Sequence, residues 1–240
     1  MKIICFSSHT ATWYFALAEA TIGSALQKKG HNVLYITPGN LFAETSNLAQ
    51  EQILREEFNL KGYELCNILT KSDVKRINLI ISRLTKDNFE NLKIDGINIG
   101  KIAMYEFLLN HKKMNAKFTQ TEWPACVIEL KDTLTSFFAC KAIIKKEKPD
   151  RILMYGDLYS VNHVWVRYAS LKKIPVYFLH HGMNFSDMDN TLIIAKANSL
   201  DYFHRLANIW HKVKNVPVSH KILSYVTDNF FELLKAKHFL

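Results

Sequence analysis

The 240-residue sequence is sparing with the residues that mark phosphate loops and cross-linked scaffolds: it has 8 glycines, 5 prolines and 4 cysteines. No glycine-rich phosphate loop follows its first predicted strand. Walker, GxSxG and HExxH motifs are also missing, so P-loop, nucleophile-elbow hydrolase and zinc-protease chemistries have nothing to rest on. Cys5, Cys66, Cys126 and Cys140 are far apart and lie among apolar neighbours. Without a CxxC pair, no metal site and no thioredoxin-like redox chemistry is expected, and the four read as reduced, buried thiols. No run approaches the roughly 20 apolar residues that span a bilayer, and the opening does not read as a signal peptide. Zinc-finger spacing and aromatic RNA-binding signatures are absent, so no nucleic-acid partner is expected. Repeats, low-complexity tracts and an interdomain linker are absent too.

What is present is an ordinary globular composition, 48% hydrophobic and 22% charged, with a net charge of +9. The chain is long enough to bury a proper core. The basic balance favours anionic partners, a membrane surface or phosphorylated small molecules, although the lysines are spread over several segments.

The first 39 residues read as βαβ. Lys2 to Phe6 is a short apolar run suited to a buried parallel strand. Trp13 to Lys29 has apolar residues at helical spacing, ends in two lysines and stops at Gly30. Val33 to Ile36 is the second strand, and a crossover of this kind sets the two strands parallel. Residues 41–120 are expected to hold a mainly helical insertion on the rim of the sheet. Within it the sequence predicts a helix over Glu44–Phe58, a strand over Tyr63–Leu69, a helix over Asp73–Leu84 and a loop at "KIDGINIG". A long helix over Pro124–Lys148 follows, with Val127, Leu130, Leu134, Phe137, Phe138 and Ile144 as its buried stripe. Its basic last turn, Lys141 to Lys148, reads as a solvated face complementing the helix dipole. Alternation then returns: strand "PDRILMYGD", helix Val161–Leu171, strand "IPVYFLHHGM", strand "NTLIIAKANS", helix Leu200–Val213 and a last helix from Ser219. The fold class expected is α/β, one Rossmann-like, doubly wound and mostly parallel sheet over residues 1–240.

In such a sheet ligands bind beyond the carboxyl ends of the strands. That rule selects Ser7-Ser8-His9-Thr10, Pro38-Gly39-Asn40, Gly156-Asp157 and His180-His181-Gly182. His9 precedes a helix N-terminus, whose dipole favours the neutral imidazole that a general base requires. Asp157 reads either as a carboxylate that orients a histidine or binds a hydroxyl, or as the cap of the next helix, a role for which Ser160 competes. His180 and His181 face opposite ways in a strand, which makes them a poor metal pair. His9 and Asp157 are the catalytic candidates. Ser8, Thr10, Gly156, His180, His181 and Gly182 are the substrate-binding candidates, and no metal or cofactor is expected.

"SSHTATWYFALAEATIGSALQKKGHNVLYIT" resembles the first βαβ unit of GT-B glycosyltransferases, with a histidine-bearing polar turn and a Gly30-His31 pair before the second strand. "KPDRILMYGD", a helix and "IPVYFLHHGM" are similar to a region of the same superfamily that also occurs in non-hydrolysing UDP-N-acetylglucosamine 2-epimerases. The His-Gly pair is similar to that of bacterial capsule and lipopolysaccharide glycosyltransferases. The resemblance covers residues 1–39 and 149–200. It implies the acceptor-side half of a two-domain enzyme, with His9 as base and Asp157 and His181 lining the same cleft. The implied partners are a nucleotide-sugar donor as co-substrate, a glycan or lipid-linked acceptor, and a separate or missing donor-binding domain. The implied location is cytoplasmic, peripheral on an anionic inner membrane face. A nucleotide-sugar 2-epimerase and a non-catalytic scaffold of a polysaccharide assembly complex are the alternatives.

Overall fold

The structure is a computed structural model that describes residues 1–42, 45–115, 118–181, 191–196 and 201–234. The elements in chain order are β1 (Lys2–Phe6), α1 (Trp13–Lys28), β2 (Asn32–Thr37), α2 (Leu48–Glu57), β3 (Gly62–Glu64), α3 (Lys71–Ser82), β4 (Lys93–Ile94), β5 (Ile97–Asn98), α4 (Ile99–Asn110), α5 (Trp123–Glu147), β6 (Arg151–Tyr155), α6 (Ser160–Leu171), β7 (Val176–His181), β8 (Leu192–Lys196), α7 (Asp201–Val213) and α8 (His220–Leu234). One sheet has the order β3-β2-β1-β6-β7-β8. Its first five strands are parallel and β8 runs antiparallel at the edge. The protein is therefore α/β with a Rossmann-like, mostly parallel sheet flanked by helices. The strand order reverses between β1 and β6, and this switch point is where a doubly wound sheet opens a crevice.

The interior strands β1 and β6 are buried on both faces, as parallel strands between helical layers must be, whereas the edge strands β3 and β8 are more exposed. Residue alternation splits the interior strands between two cores. Ile4, Phe6, Ile152, Met154 and Phe178 face α4, α5 and α6, whereas Ile3, Cys5, Val33, Tyr35 and Leu179 face α1. Phe6 stacks on the indole of Trp165 with ring centroids 4.3 Å apart. α5 is surrounded by protein through its middle, where every residue from Thr133 to Cys140 is buried. It starts with proline in the first turn and ends on Lys148 in the left-handed conformation (φ 47°).

Residues 41–120 differ from the expected rim decoration. Ile77, Phe89, Ile94, Ile97, Ile99 and Phe107 join the same core cluster as β1 and β6, so this stretch closes one face of the sheet. α2 starts at Leu48, later than the apolar pattern indicates, because the Asn47 side chain caps it by accepting from Gln50 N. The strand expected over Tyr63–Leu69 is three residues long and gives way to a 3₁₀ turn at Leu65–Asn67. The loop expected at "KIDGINIG" is a two-stranded hairpin turning on Asp95 and Gly96, both at positive φ. It runs directly into α4, with Asn98 capping Lys101 N. Gly100 belongs to that helix, and a Cβ there would meet the Phe89 carbonyl oxygen at 1.9 Å. Ser219 caps α8 from outside it, its Oγ accepting from Ile222 N. No helix among the described residues is long and apolar enough to cross a membrane.

Candidate functional site

The turn after β1 is packed inside the protein. Ser7, Ser8, His9 and Thr10 are all buried, and Ser7 N donates to the Ile36 carbonyl of β2 at 2.9 Å. The Thr10 hydroxyl donates to Glu51 Oε1 of α2 at 2.8 Å and accepts from Asn47 N at 2.9 Å. Glu51 Oε2 also accepts from Gly39 N, so the turns after β1 and β2 are joined through one carboxylate. Thr10 thus spends both directions of its hydroxyl on the scaffold.

Ser8 and His9 are organised differently. Asn162, fully buried in the first turn of α6, donates from Nδ2 to the carbonyls of Tyr155 at 3.0 Å and Gly156 at 3.2 Å. Those two bonds fix the amide, and Oδ1 faces Ser8. The single hydroxyl proton of Ser8 goes to Asn162 Oδ1. Ser8 Oγ lies 2.6 Å from His9 Nδ1 and has no second proton to give, so it accepts and Nδ1 carries the hydrogen. The tautomer follows from this accounting: His9 Nε2 holds the lone pair, and it makes no hydrogen bond to any described residue. Burial pushes the His9 pKa down to about 4, so the ring is neutral at physiological pH. Desolvation, rather than the dipole of α1, is the cause of this lowering. The ring packs against Tyr159 at 4.1 Å between centroids and meets Phe15 edge-on at 6.2 Å.

His9 lines a cavity of about 240 Å³ at the carboxyl end of the sheet, walled by α4, α5 and the start of α6. Glu106, Glu129 and Asp132 also line it. Glu106 Oε2 accepts from Ser160 N at 2.5 Å and so caps α6 from a neighbouring helix. Burial, reinforced by the nearby Glu129 carboxylate, pushes the Glu106 carboxyl up to about 7. Glu129 is tied to Asn110, whose Nδ2 donates to its Oε1 at 2.8 Å. Among the described residues no group of histidine, cysteine and acidic side chains is arranged to hold a metal ion.

The other residues singled out from sequence are dispersed. Gly156 sits at the end of β6 with φ 68°. Asp157 is half-buried and outside the lining of the His9 cavity, and its carbonyl accepts from His163 Nδ1 at 3.0 Å. The Ser160 N–H at the start of α6 is met by Glu106 rather than by the Ser160 hydroxyl. His180 stacks on Tyr155 at 5.2 Å, and Tyr155 stacks on Phe15 at 3.7 Å, which connects β7 to the His9 ring through aromatic contacts. His181 is placed by its backbone pairing with Leu192 at the end of β7. Gly182 lies outside the described residues.

Sequence reasoning missed Asn162, Glu106 and Glu19. Glu19 is the lone acid of α1 and fully enclosed, accepting from Tyr155 N at 2.6 Å. Burial pushes its carboxyl up to about 8. A single carboxylate within "WYFALAEATIG" was a readable signal. Asn162 and Glu106 carried none, because their importance comes from elements far away in sequence.

No protein-family model and no curated protein matches the chain. Among solved structures, it is similar to a UDP-GlcNAc 2-epimerase from Neisseria meningitidis, solved bound to UDP-GlcNAc, with a TM-score of 0.40 and 14% identity. The match covers 73% of this chain and 31% of that one, so the chain spans about a third of that enzyme's length.

Proposed function

We propose that this chain is the acceptor-binding half of a glycosyltransferase. It would move a sugar from a nucleotide-sugar to a hydroxyl of a surface-polysaccharide or lipid-linked acceptor. One observation carries the reading: the Asn162–Ser8–His9 chain presents a buried, neutral imidazole with Nε2 free, beside a cavity at the switch point of the sheet. An acceptor hydroxyl in that cavity donates its proton to Nε2 as its oxygen attacks the anomeric carbon. The new C–O bond forms as the bond to the nucleoside diphosphate breaks, and the diphosphate departs with the electron pair. The resulting imidazolium keeps its Nδ1–H on Ser8, and the acidic groups of the cavity wall face the positive charge that develops. A single displacement of this kind inverts the anomeric configuration. The donor nucleotide-sugar would bind through a separate domain facing this cleft.

The test uses the polypeptide as its cell makes it, with radiolabelled UDP- and GDP-sugars and membranes of that cell as acceptor. His9→Ala is expected to lower transfer by about 10²–10⁴-fold, the range lost with a general base, and retention of the rate within about threefold removes the base role. A labelled nucleotide-sugar isomerised without any acceptor present assigns the chain to the epimerases instead.

A further inference from the structure

A second concavity lies at the other end of the sheet. Pro149 and Ile174, which lead into β6 and β7, line a groove of about 650 Å³. It is therefore at the amino ends of the strands, whereas the His9 cavity is at their carboxyl ends. Its volume falls in the range of small-molecule sites. Its floor is apolar and aromatic, made by Phe138, Ile144, Tyr168 and Ile174.

Its walls carry Arg76, Lys141, Lys145, Lys148 and Lys172 against one carboxylate, Asp73. Asp73 is committed to the capping box of α3, accepting from Thr70 N and Oγ1. Lys141 is committed to Asp95. Arg76, Lys145, Lys148 and Lys172 have no carboxylate partner among the described residues. Two of them are held over the floor by their aromatic neighbours: the Arg76 guanidinium lies 5.1 Å from the Phe138 centroid and the Lys172 ammonium 5.4 Å from that of Tyr168.

Dipole complementation explains lysines at the ends of α5 and α6. It does not explain Arg76, which lies in the middle of α3. Like charges gathered from three helices around one concavity repel unless an anion sits among them.

We propose that this groove is an anion-binding site separate from the His9 cavity, and that it takes a phosphate-bearing group. Four unpaired cations suit the clustered charges of a diphosphate or of a phospholipid headgroup, and the aromatic floor suits the less polar part attached to it.

Two probes separate the sources of that phosphate. Inorganic pyrophosphate is titrated calorimetrically at low salt. Phosphatidylcholine vesicles, with and without about 30 mol% phosphatidylglycerol, are used in co-flotation. Each is run on the wild type, on K145Q/K148G, on Arg76→Gln, and on the control K28Q/K29Q, which removes two charges from α1 across the sheet. Lys148→Gly suits the left-handed backbone, and melting curves check that each variant folds. At least one probe is expected to bind, with K145Q/K148G weakening it about tenfold or more and the control less than about twofold. Pyrophosphate binding identifies a soluble diphosphate ligand, and binding only to anionic vesicles identifies a headgroup. If neither probe binds, or if the control weakens binding as much as the groove variants do, the site does not exist. Neither arm depends on sugar transfer, so the result stands apart from the role of His9.

Discussion

Ser8→Ala probes the chain of hydrogen bonds that sets His9. The substitution deletes the acceptor of His9 Nδ1–H and the donor to Asn162 Oδ1, and both groups are buried. Each buried polar group left without a partner costs about 1–3 kcal/mol, so the loss of stability from the two should be about 2–6 kcal/mol by urea unfolding. The second consequence is chemical. With Ser8 in place the Nδ1–H tautomer is enforced and Nε2 is the basic nitrogen. Without it, neutral imidazole returns to its intrinsic preference for hydrogen on Nε2, and the nitrogen at the cavity loses its lone pair. Nitrogen-15 spectra of the histidine rings report both states. The wild type is expected to show Nδ1–H for His9 at pH 7, and Ser8→Ala to show mainly Nε2–H. An Nε2–H tautomer in the wild type, or an unchanged tautomer in the variant, refutes the hydrogen-bond accounting and with it the base role. Rescue is also expected to be specific: Ser8→Thr keeps the hydroxyl and should keep the tautomer.

Two pH-linked predictions follow from the buried ionisable groups. His9 has its pKa lowered from 6.5 to about 4, so the unfolded chain binds its proton first. Stability from this group is complete above pH 6.5 and is lost as pH falls to 4, by about 3 kcal/mol, and His9→Gln should flatten that part of the stability–pH curve. Glu19 is shifted the opposite way, from 4.5 to about 8, so its contribution is complete below pH 4.5 and is lost as pH rises through 8. Glu19→Gln keeps an oxygen for Tyr155 N and should raise stability by up to about 4–5 kcal/mol at pH 9 with no gain at pH 4. A gain that is the same at both pH values shows that Glu19 is not held neutral.

The βαβ opening and the β6–α6–β7 return were legible because each strand is a short apolar run followed by a turn residue and an amphipathic helix, so local pattern and global fold agree. The middle was opaque for a physical reason. Ile77, Phe89 and Phe107 reach one core from separate short elements, and nothing local announces that they meet. The hairpin at Asp95-Gly96 was hidden because two-residue strands leave no period to read. His9 could be picked out because it stands alone in a polar turn at a strand end. The groups that give it its tautomer and wall its cavity are set by packing. Asn162 lies 154 positions from Ser8, and Glu106 reaches Ser160 across 54 positions.

The same long separations govern how the chain comes to be folded. β1 is an interior strand whose two neighbours arrive at very different times. β2 follows it after a single helix, whereas β6 begins more than a hundred residues later. At about 5–20 residues per second, a ribosome makes β1, α1 and β2 roughly 5–20 s before β6 exists to cover the other edge of β1. During that interval the backbone edge of β1 that later pairs with β6, from Ile3 to Phe6, has no partner strand. The long gap between β2 and β6 in the chain therefore makes β1 the strand of this sheet that waits longest for its second edge.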